Sequence, residues 1–286
     1  MIRPDDDPEL EPLRADRVGG LRFLLGSRFT PSTLAHHLAV NPALSWRAAR
    51  SGQYVVGGYW RRRPDIAAVV ELATGRYRHE LLDRLVESAR AVGCELVIGE
   101  AVEGDGMAAL WREVGFAPVD QILEYERLAV WAGPGAPGSP VLPVRPYRPE
   151  DLRPTLELDR RSFPWLWWNS TAELAHYGDA DGSEVWLLDG PDGRVAGYVG
   201  LTVRGTRGHL DRLAVAPELR RRGLGAGLIG HALSRFAAHG VRRVTLTTQY
   251  DNTRAQPLYE RFGFGLTRYR LTIYGRWLGQ PRDRTP

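Results

Sequence analysis

The sequence predicts a tandem repeat of one α+β fold, and three observations point there. The first is length: 286 residues is long for one compact domain and comfortable for two, each able to bury a core. The second is a Gly/Pro-dense stretch from Trp131 to Pro143, too poor in apolar residues to pack as an element, which reads as a linker. It sets a first domain at 1–130, a linker at 131–143 and a second domain at 144–286. The third is internal likeness. Leu228, Ile229, Ala232, Leu233 and Phe236 form the apolar face of a helix ending at Gly240. Leu81, Leu82, Leu85, Val86 and Ala89 repeat that face 147 residues earlier, and Gly93 matches Gly240.

The other elements follow in chain order. In the first domain the strand Glu95–Ile98 succeeds the helix, then Ala109–Phe116 ends in Leu-aromatic-x-x-x-Gly-Phe. The second domain repeats both, as the strand Arg243–Thr247 and the tail Pro257–Phe264. Ile122–Leu128 alternates like a strand that closes the first domain. After the linker, Val144–Tyr147 opens a strand and Arg148–Leu152 gives a helix an acidic start. His209–Val215 alternates in part and reads as a strand, which Ala216-Pro217-Glu218 stops because proline cannot donate to a ladder.

Composition narrows the function. Apolar residues make up 43% and charged residues 25%, ordinary for a globular protein. No apolar run reaches membrane-spanning length, and Met1–Asp7 lacks the basic-then-apolar pattern of a secretion signal, so no membrane partner is expected. Cys94 is the single cysteine, which excludes an internal disulfide and a cysteine-based metal cluster; no metal is expected, and a reducing cytoplasm is the natural compartment. The formal charge of +4 comes from arginine alone, since the chain has no lysine, and this removes Schiff-base chemistry. The arginines are scattered, with short runs only at Arg61–Arg63 and Arg220–Arg222, which argues against nucleic acid and suits a small anion.

Arg220–Ala226 carries the strongest chemical signal. Two closely spaced glycines, Gly223 and Gly225, at a helix start let backbone N–H groups converge, and the helix dipole adds positive potential. Arg220, Arg221 and Arg222 add charge suited to a phosphate. Taken alone, such a loop could equally be a relaxed turn with solvated arginines. However, Arg220-Arg-Arg-Gly223-Leu-Gly225 resembles the acetyl-CoA signature Gln/Arg-x-x-Gly-x-Gly/Ala of the GNAT superfamily of N-acetyltransferases. Leu213–Pro217 is similar to that family's strand-four ending, and Asn252–Phe264 to its motif Asn-x-x-Ala-x-x-Leu-Tyr-x-x-x-Gly-Phe. The likeness covers Val144 to Leu278.

The resemblance implies, for each domain, a mixed, mostly antiparallel central sheet flanked by helices, with acetyl-CoA as cosubstrate. It implies that the backbone of Leu213, Ala214 and Val215 pairs with the pantetheine arm, and that the amides of Arg221, Arg222, Gly223, Leu224, Gly225 and Ala226 hold the diphosphate. Asn252 and Ala255 would flank the arm, and Tyr259 would protonate the departing thiolate; the alternative for Tyr259 is a buried helix aromatic. Asp211 lies where many members carry a strand-four carboxylate and is the first candidate base, the alternative being a carboxylate paired with Arg212 or another arginine. His209 is the second candidate base or a structural histidine. Trp165, Trp167 and Trp168 would line the acceptor pocket or form a core-packing corner.

In the first domain Arg76 and Arg78 stand at the positions of Gly223 and Gly225, and Trp111 at that of Tyr259. This reads as a degenerate copy, with Gly75 leaving room for a looser loop. The expected activity is transfer of acetyl to the primary amine of a small molecule by direct attack in a ternary complex. Acetylation of a protein amino terminus or lysine, or non-catalytic acyl-CoA binding, are the alternatives. The chain is expected as a monomer, its domains forming a pseudo-dimer, or as a homodimer.

Overall fold

The computed structural model describes residues 9–73, 75–128 and 143–282. The amino-terminal reading at 1–7 and the linker at 131–142 lie outside them. The chain divides into two compact units, Met1–Val119 with Thr272–Pro281 and Asp120–Leu271 with Arg282–Pro286.

The first unit contains β1 (Leu10–Pro12), α1 (Pro31–Val40), β2 (Trp46–Ala48), β3 (Tyr54–Tyr59), β4 (Ile66–Leu72), α2 (Arg78–Ala91), β5 (Leu96–Val102) and α3 (Met107–Glu113). Its strands lie in the order β1-β2-β3-β4-β5, and β4–β5 is the parallel pair. Thr30 caps α1 through the Thr33 amide, and Pro31 occupies the first turn, where its missing N–H costs nothing. Alternation along β3 serves both faces: Tyr54 and Val56 pack with Leu34 and Leu38 of α1, while Val55 packs with Leu81, Leu85 and Ala89 of α2.

The second unit contains the larger part of β6 (Ala117–Leu128), then β7 (Val144–Pro146), α4 (Leu152–Ser162), α5 (Thr171–Asp179), β8 (Ser183–Asp189), β9 (Val195–Arg204), β10 (Arg207–Val215), α6 (Leu224–Ala238), β11 (Arg243–Gln249), α7 (Gln256–Arg261) and the first half of β12 (Gly265–Trp277). The strand order is β7-β8-β9-β10-β11-β6, and β10–β11 is the parallel pair. Each unit is therefore a mixed, mostly antiparallel sheet with helices on it. Val199 and Leu201 of β9 bury against Leu228, Ala232 and Phe236 of α6, whereas Tyr198 packs with Leu158 of α4.

Two segments fall elsewhere than the repeat suggests. The strand at 122–128, expected to close the first domain, pairs along its length with β11, from Ile122 opposite Gln249 to Leu128 opposite Arg243. Residues Thr272–Pro281, from the carboxy-terminal end, belong to the first unit. Alternation gives a strand its faces but not its neighbour, so the sequence left both partners open.

Candidate active site

The site grows from an interrupted strand pairing. Parallel β10 and β11 pair only from Arg207–Arg243 to Leu210–Leu246, although β10 runs on to Val215 and β11 to Gln249. Beyond Leu210 the strands part, while β9 still pairs with β10 from Arg212–Gly200 to Val215–Gly197. One edge of β10 at Leu213, Ala214 and Val215 thus faces a gap, and main-chain groups on such an edge need partners.

At one end of the gap lies Arg220–Ala226. Gly223 has φ 80°, a left-handed conformation that glycine adopts freely, and no side chain caps α6 behind it. The first-turn amides of α6, at Leu224, Gly225 and Ala226, are therefore without intrahelical partners. Arg221 also sits at positive φ, 62°. Gly225 is informative: a Cβ there would meet only Leu258 Cδ2 at 3.4 Å and Val215 Cγ2 at 3.9 Å, so packing does not demand glycine. The bare backbone suits a close approach by a ligand. Arg220 Nε donates to the Val215 carbonyl at 3.2 Å, tying the loop to the end of β10, while Arg221 and Arg222 are exposed.

The far wall is α7 and the turn before it. Asn252 Nδ2 donates to Thr248 Oγ1 at 3.0 Å, and Ala255 stands at the helix start. Tyr259 is buried, its ring 5.9 Å from that of Tyr125. Burial pushes its hydroxyl up to about 12, while a hydrogen bond with Thr248 acts in the other direction. A tyrosine kept neutral in this way retains a proton to give.

Asp211 occupies a β-bulge, for the β9 register shifts between Leu210 and Arg212. Simple alternation would send Asp211 and Arg212 to opposite faces; the bulge lets both reach the α4–α5 elements. Asp211 accepts a short hydrogen bond from the hydroxyl of Tyr177 on α5. Its carboxyl reaches solvent but is crowded by protein, which raises its pKa above 3.8, while His209 and hydrogen bonds from Tyr177 and Thr202 act downward. Tyr177 itself is raised, first by burial and then by the Asp211 charge. His209 Nδ1 lies 2.8 Å from Thr245 Oγ1.

Arg212 does not pair with Asp211. It turns to fully buried Asp159 on α4, with Nε at 3.0 Å and Nη2 at 2.7 Å from Oδ2. Tyr198 donates to the same oxygen at 2.5 Å, and Asn169 reaches the carboxylate through its amide at 2.8 Å and its side chain at 3.1 Å. Arg212 also donates to the Trp167 carbonyl at 2.6 Å and stacks on Phe163 at 3.6 Å. This group fastens the tryptophan segment to β10. Trp165 is buried, whereas Trp167 and Trp168 are half-buried, their indoles donating to Asp120 and to the Phe163 carbonyl.

Tyr177, Thr248 and Asp159 were invisible in sequence. One clue existed, a glycine inside a strand pattern: a Cβ at Gly200 would lie 2.8 Å from Tyr177 Cε1, so glycine there makes room for the ring.

The first unit fills the equivalent cradle itself. A Cβ at Gly75 would strike Gln53 Oε1 at 2.3 Å, and that oxygen accepts from the Tyr77 amide at 3.1 Å. Trp111 is buried and donates to the Glu100 carbonyl at 2.9 Å.

A parted strand pair with an uncapped, glycine-led helix on one side and a buried tyrosine on the other fits the acetyltransferase class. The Acetyltransferase (GNAT) family profile matches residues 149–264. The chain is 30% identical over 254 residues to a mycothiol acetyltransferase of Beutenbergia cavernae, a match covering 82% of each protein. It therefore belongs to the GNAT family and is an acyltransferase.

Two further relatives frame that assignment. The [ribosomal protein bS18]-alanine N-acetyltransferase of Salmonella typhimurium is 29% identical over 126 residues, 43% of this chain and 81% of its own length. A tandem GNAT protein from the clavulanic acid biosynthesis pathway shares the fold, with a TM-score of 0.61 at 19% identity over 96% of this chain and 100% of that one. No helix of the described residues is long and apolar enough to cross a membrane.

Proposed function

We propose that the second unit transfers the acetyl group of acetyl-CoA to the primary amine of a small molecule, by direct attack in a ternary complex. The observation that carries this reading is the gap beside Leu213–Val215, bounded by the open amides of α6, buried Tyr259 and partly accessible Asp211. Gly223, Leu224, Gly225 and Ala226 hold the diphosphate through main-chain amides, with Arg220, Arg221 and Arg222 supplying charge. Leu213, Ala214 and Val215 align the pantetheine arm, with Asn252 and Ala255 opposite.

The amine must be neutral to attack, so Asp211 takes its proton directly or through water, and Tyr259 protonates the leaving thiolate. An amide proton of Leu213 or Ala214 steadies the developing oxyanion. Alignment supplies much of the rate, since effective molarities of well-placed pairs reach about 10⁵ M or more. Trp167 and Trp168 flank the acceptor, with buried Trp165 supporting them. The first unit is a degenerate copy whose phosphate loop is closed by Gln53.

The relative named for mycothiol, a small molecule, aligns with both units and favours a small acceptor. The relative named for a ribosomal protein's alanine supports a second reading, a protein amino terminus as acceptor. Release of free CoA, followed with a thiol reagent over a panel of small amines and amino-terminal peptides, separates the two. Tyr259→Phe should lower kcat by about 10²-fold or more. Wild-type turnover in that variant would remove the general-acid role, and absence of CoA release with every amine would remove the reaction.

A further inference from the structure

Beyond Leu246, β11 runs on without β10, and its last residues line the gap from the other side. Alternation sorts their side chains. Val244 and Leu246 belong to the core against α6, so Thr245, Thr247 and Gln249 face the opposite way, as His209 does beside Thr245. This is the face on which Asp211 meets Tyr177 of α5. On β6, Leu123 and Tyr125 pack in the same core. That turns Glu124, paired with Thr247, and Ile122, paired with Gln249, to the opposite face as well.

Trp167 crosses this face. Its carbonyl accepts from Arg212 of β10 at 2.6 Å and its indole donates to Asp120 of β6 at 2.5 Å, so it reaches from one strand to the other past the end of β11, where Gln249 lies. Gln249 is half-buried, yet its carboxamide makes no hydrogen bond to the described residues, and neither does the Thr247 hydroxyl. A half-buried amide is costly unless water or a ligand meets it. Continued past Leu210–Leu246, the pairing sets Thr247 level with Asp211, and Gln249 two residues, roughly 7 Å, farther along. The charges here are one-sided. Asp211 is held by Tyr177, Glu124 accepts from Thr267 at 3.2 Å, and among the described residues neither pairs with an arginine. His209 engages Thr245, and Arg243 is taken by Glu126.

We infer that Gln249 selects the acceptor: beside Trp167, its carboxamide hydrogen-bonds an uncharged polar group, a hydroxyl or an amide, that the acceptor carries about three carbons from its amine. A carboxamide serves either group because it both donates and accepts. The amine sits at Asp211, and Asp211 with Glu124 repels an acceptor carboxylate. The inference rests on the acetyl-transfer reading and narrows its small amine to an amino alcohol or amino amide.

Primary amines of similar size test it on the full chain: β-alaninol, butylamine, in which a methyl replaces the hydroxyl, and β-alanine, in which a carboxylate stands at that end. Release of free CoA gives kcat/KM for each, and in the parent β-alaninol should exceed both others. The basicities of the amines differ, so the decisive quantity is the ratio of β-alaninol to butylamine, compared between variants. Gln249→Met, similar in length but without the carboxamide, should cut that ratio about tenfold, chiefly through the KM for β-alaninol, with the acetyl-CoA KM little moved. Glu124→Gln should raise the rate with β-alanine by removing a like charge. Coenzyme A binding without turnover of β-alaninol, a ratio unchanged in Gln249→Met, or a β-alanine rate unmoved by Glu124→Gln would each overturn this inference alone. Failure of the parent to bind coenzyme A would overturn the acetyl-transfer reading, and this inference with it.

Discussion

Replacing Asp159 with leucine tests how the second unit holds its tryptophan segment. The carboxylate has no exposed surface and accepts from Arg212 twice, from Tyr198, and from the amide and side chain of Asn169. Its loss leaves the buried guanidinium of Arg212 with the Trp167 carbonyl, the Tyr198 hydroxyl at 3.3 Å and the Phe163 ring, none of them a countercharge. Removing one partner of a buried ion pair costs about 3–5 kcal/mol, because the remaining charge stays desolvated. Removing both should cost less. In Asp159→Leu with Arg212→Met the buried charge is gone, and what remains, as in the single variant, is the loss of the Tyr198 and Asn169 bonds to the carboxylate, at about 1–3 kcal/mol each. The pair should therefore couple by about 2 kcal/mol in a double-mutant cycle. Two compact units need not unfold together, so hydrogen exchange read on peptides spanning 152–170 and 195–215 under increasing urea is the suitable assay. Coupling below about 0.5 kcal/mol, or a double variant less stable than the single, would show that the group does not act as an ion pair.

Other consequences follow from the same geometry. If Asp211 is the base, Tyr177→Phe removes a hydrogen bond that favours the ionised carboxylate. Its pKa then rises, and the acid limb of the kcat/KM–pH profile moves up by about one unit; a limb that stays put would unseat the pairing. Glu184 is lowered from 4.5 to about 2, chiefly by hydrogen bonds from Arg235 and also by those from Trp186 and His239. A depressed folded-state pKa gives stability that is full above pH 4.5 and lost as pH falls towards about 2. Glu184→Gln should cost about 2 kcal/mol at neutral pH and flatten that acid loss, which acid titration of unfolding would show. If the tryptophans line the acceptor pocket, Trp167→Ala should raise the acceptor KM several-fold more than the acetyl-CoA KM; equal rises would make the segment purely structural.

Much of this architecture was legible because it is local. The apolar face at Leu228–Phe236, its echo at Leu81–Ala89 and the glycines of Arg220–Ala226 are spacings within one or two turns, and the helices start and end close to where those spacings put them. What escaped depends on partners far apart in sequence. Asp211 looked like a neighbour for Arg212, but a bulge hands one to Tyr177 and the other to Asp159. Ile122–Leu128 has an alternation that fits any sheet edge, and only the register against Gln249–Arg243 assigns it. Gln53 lies more than twenty residues before the loop it closes, and a glutamine that caps a distant amide has no local signature.

The central claim is that bare main-chain amides at the start of α6 grip the diphosphate of coenzyme A. Gly225→Asp isolates it. The protein can accommodate a side chain there, and an acidic residue in the first turn favours the helix dipole by about 0.3–1 kcal/mol. The variant should thus be at least as stable as the parent, while its new carboxylate repels the diphosphate. Calorimetric titration with coenzyme A should give saturable binding to the parent and a loss of about 10²-fold or more in the folded variant. Parental affinity in that variant, or no affinity in the parent, would contradict the account.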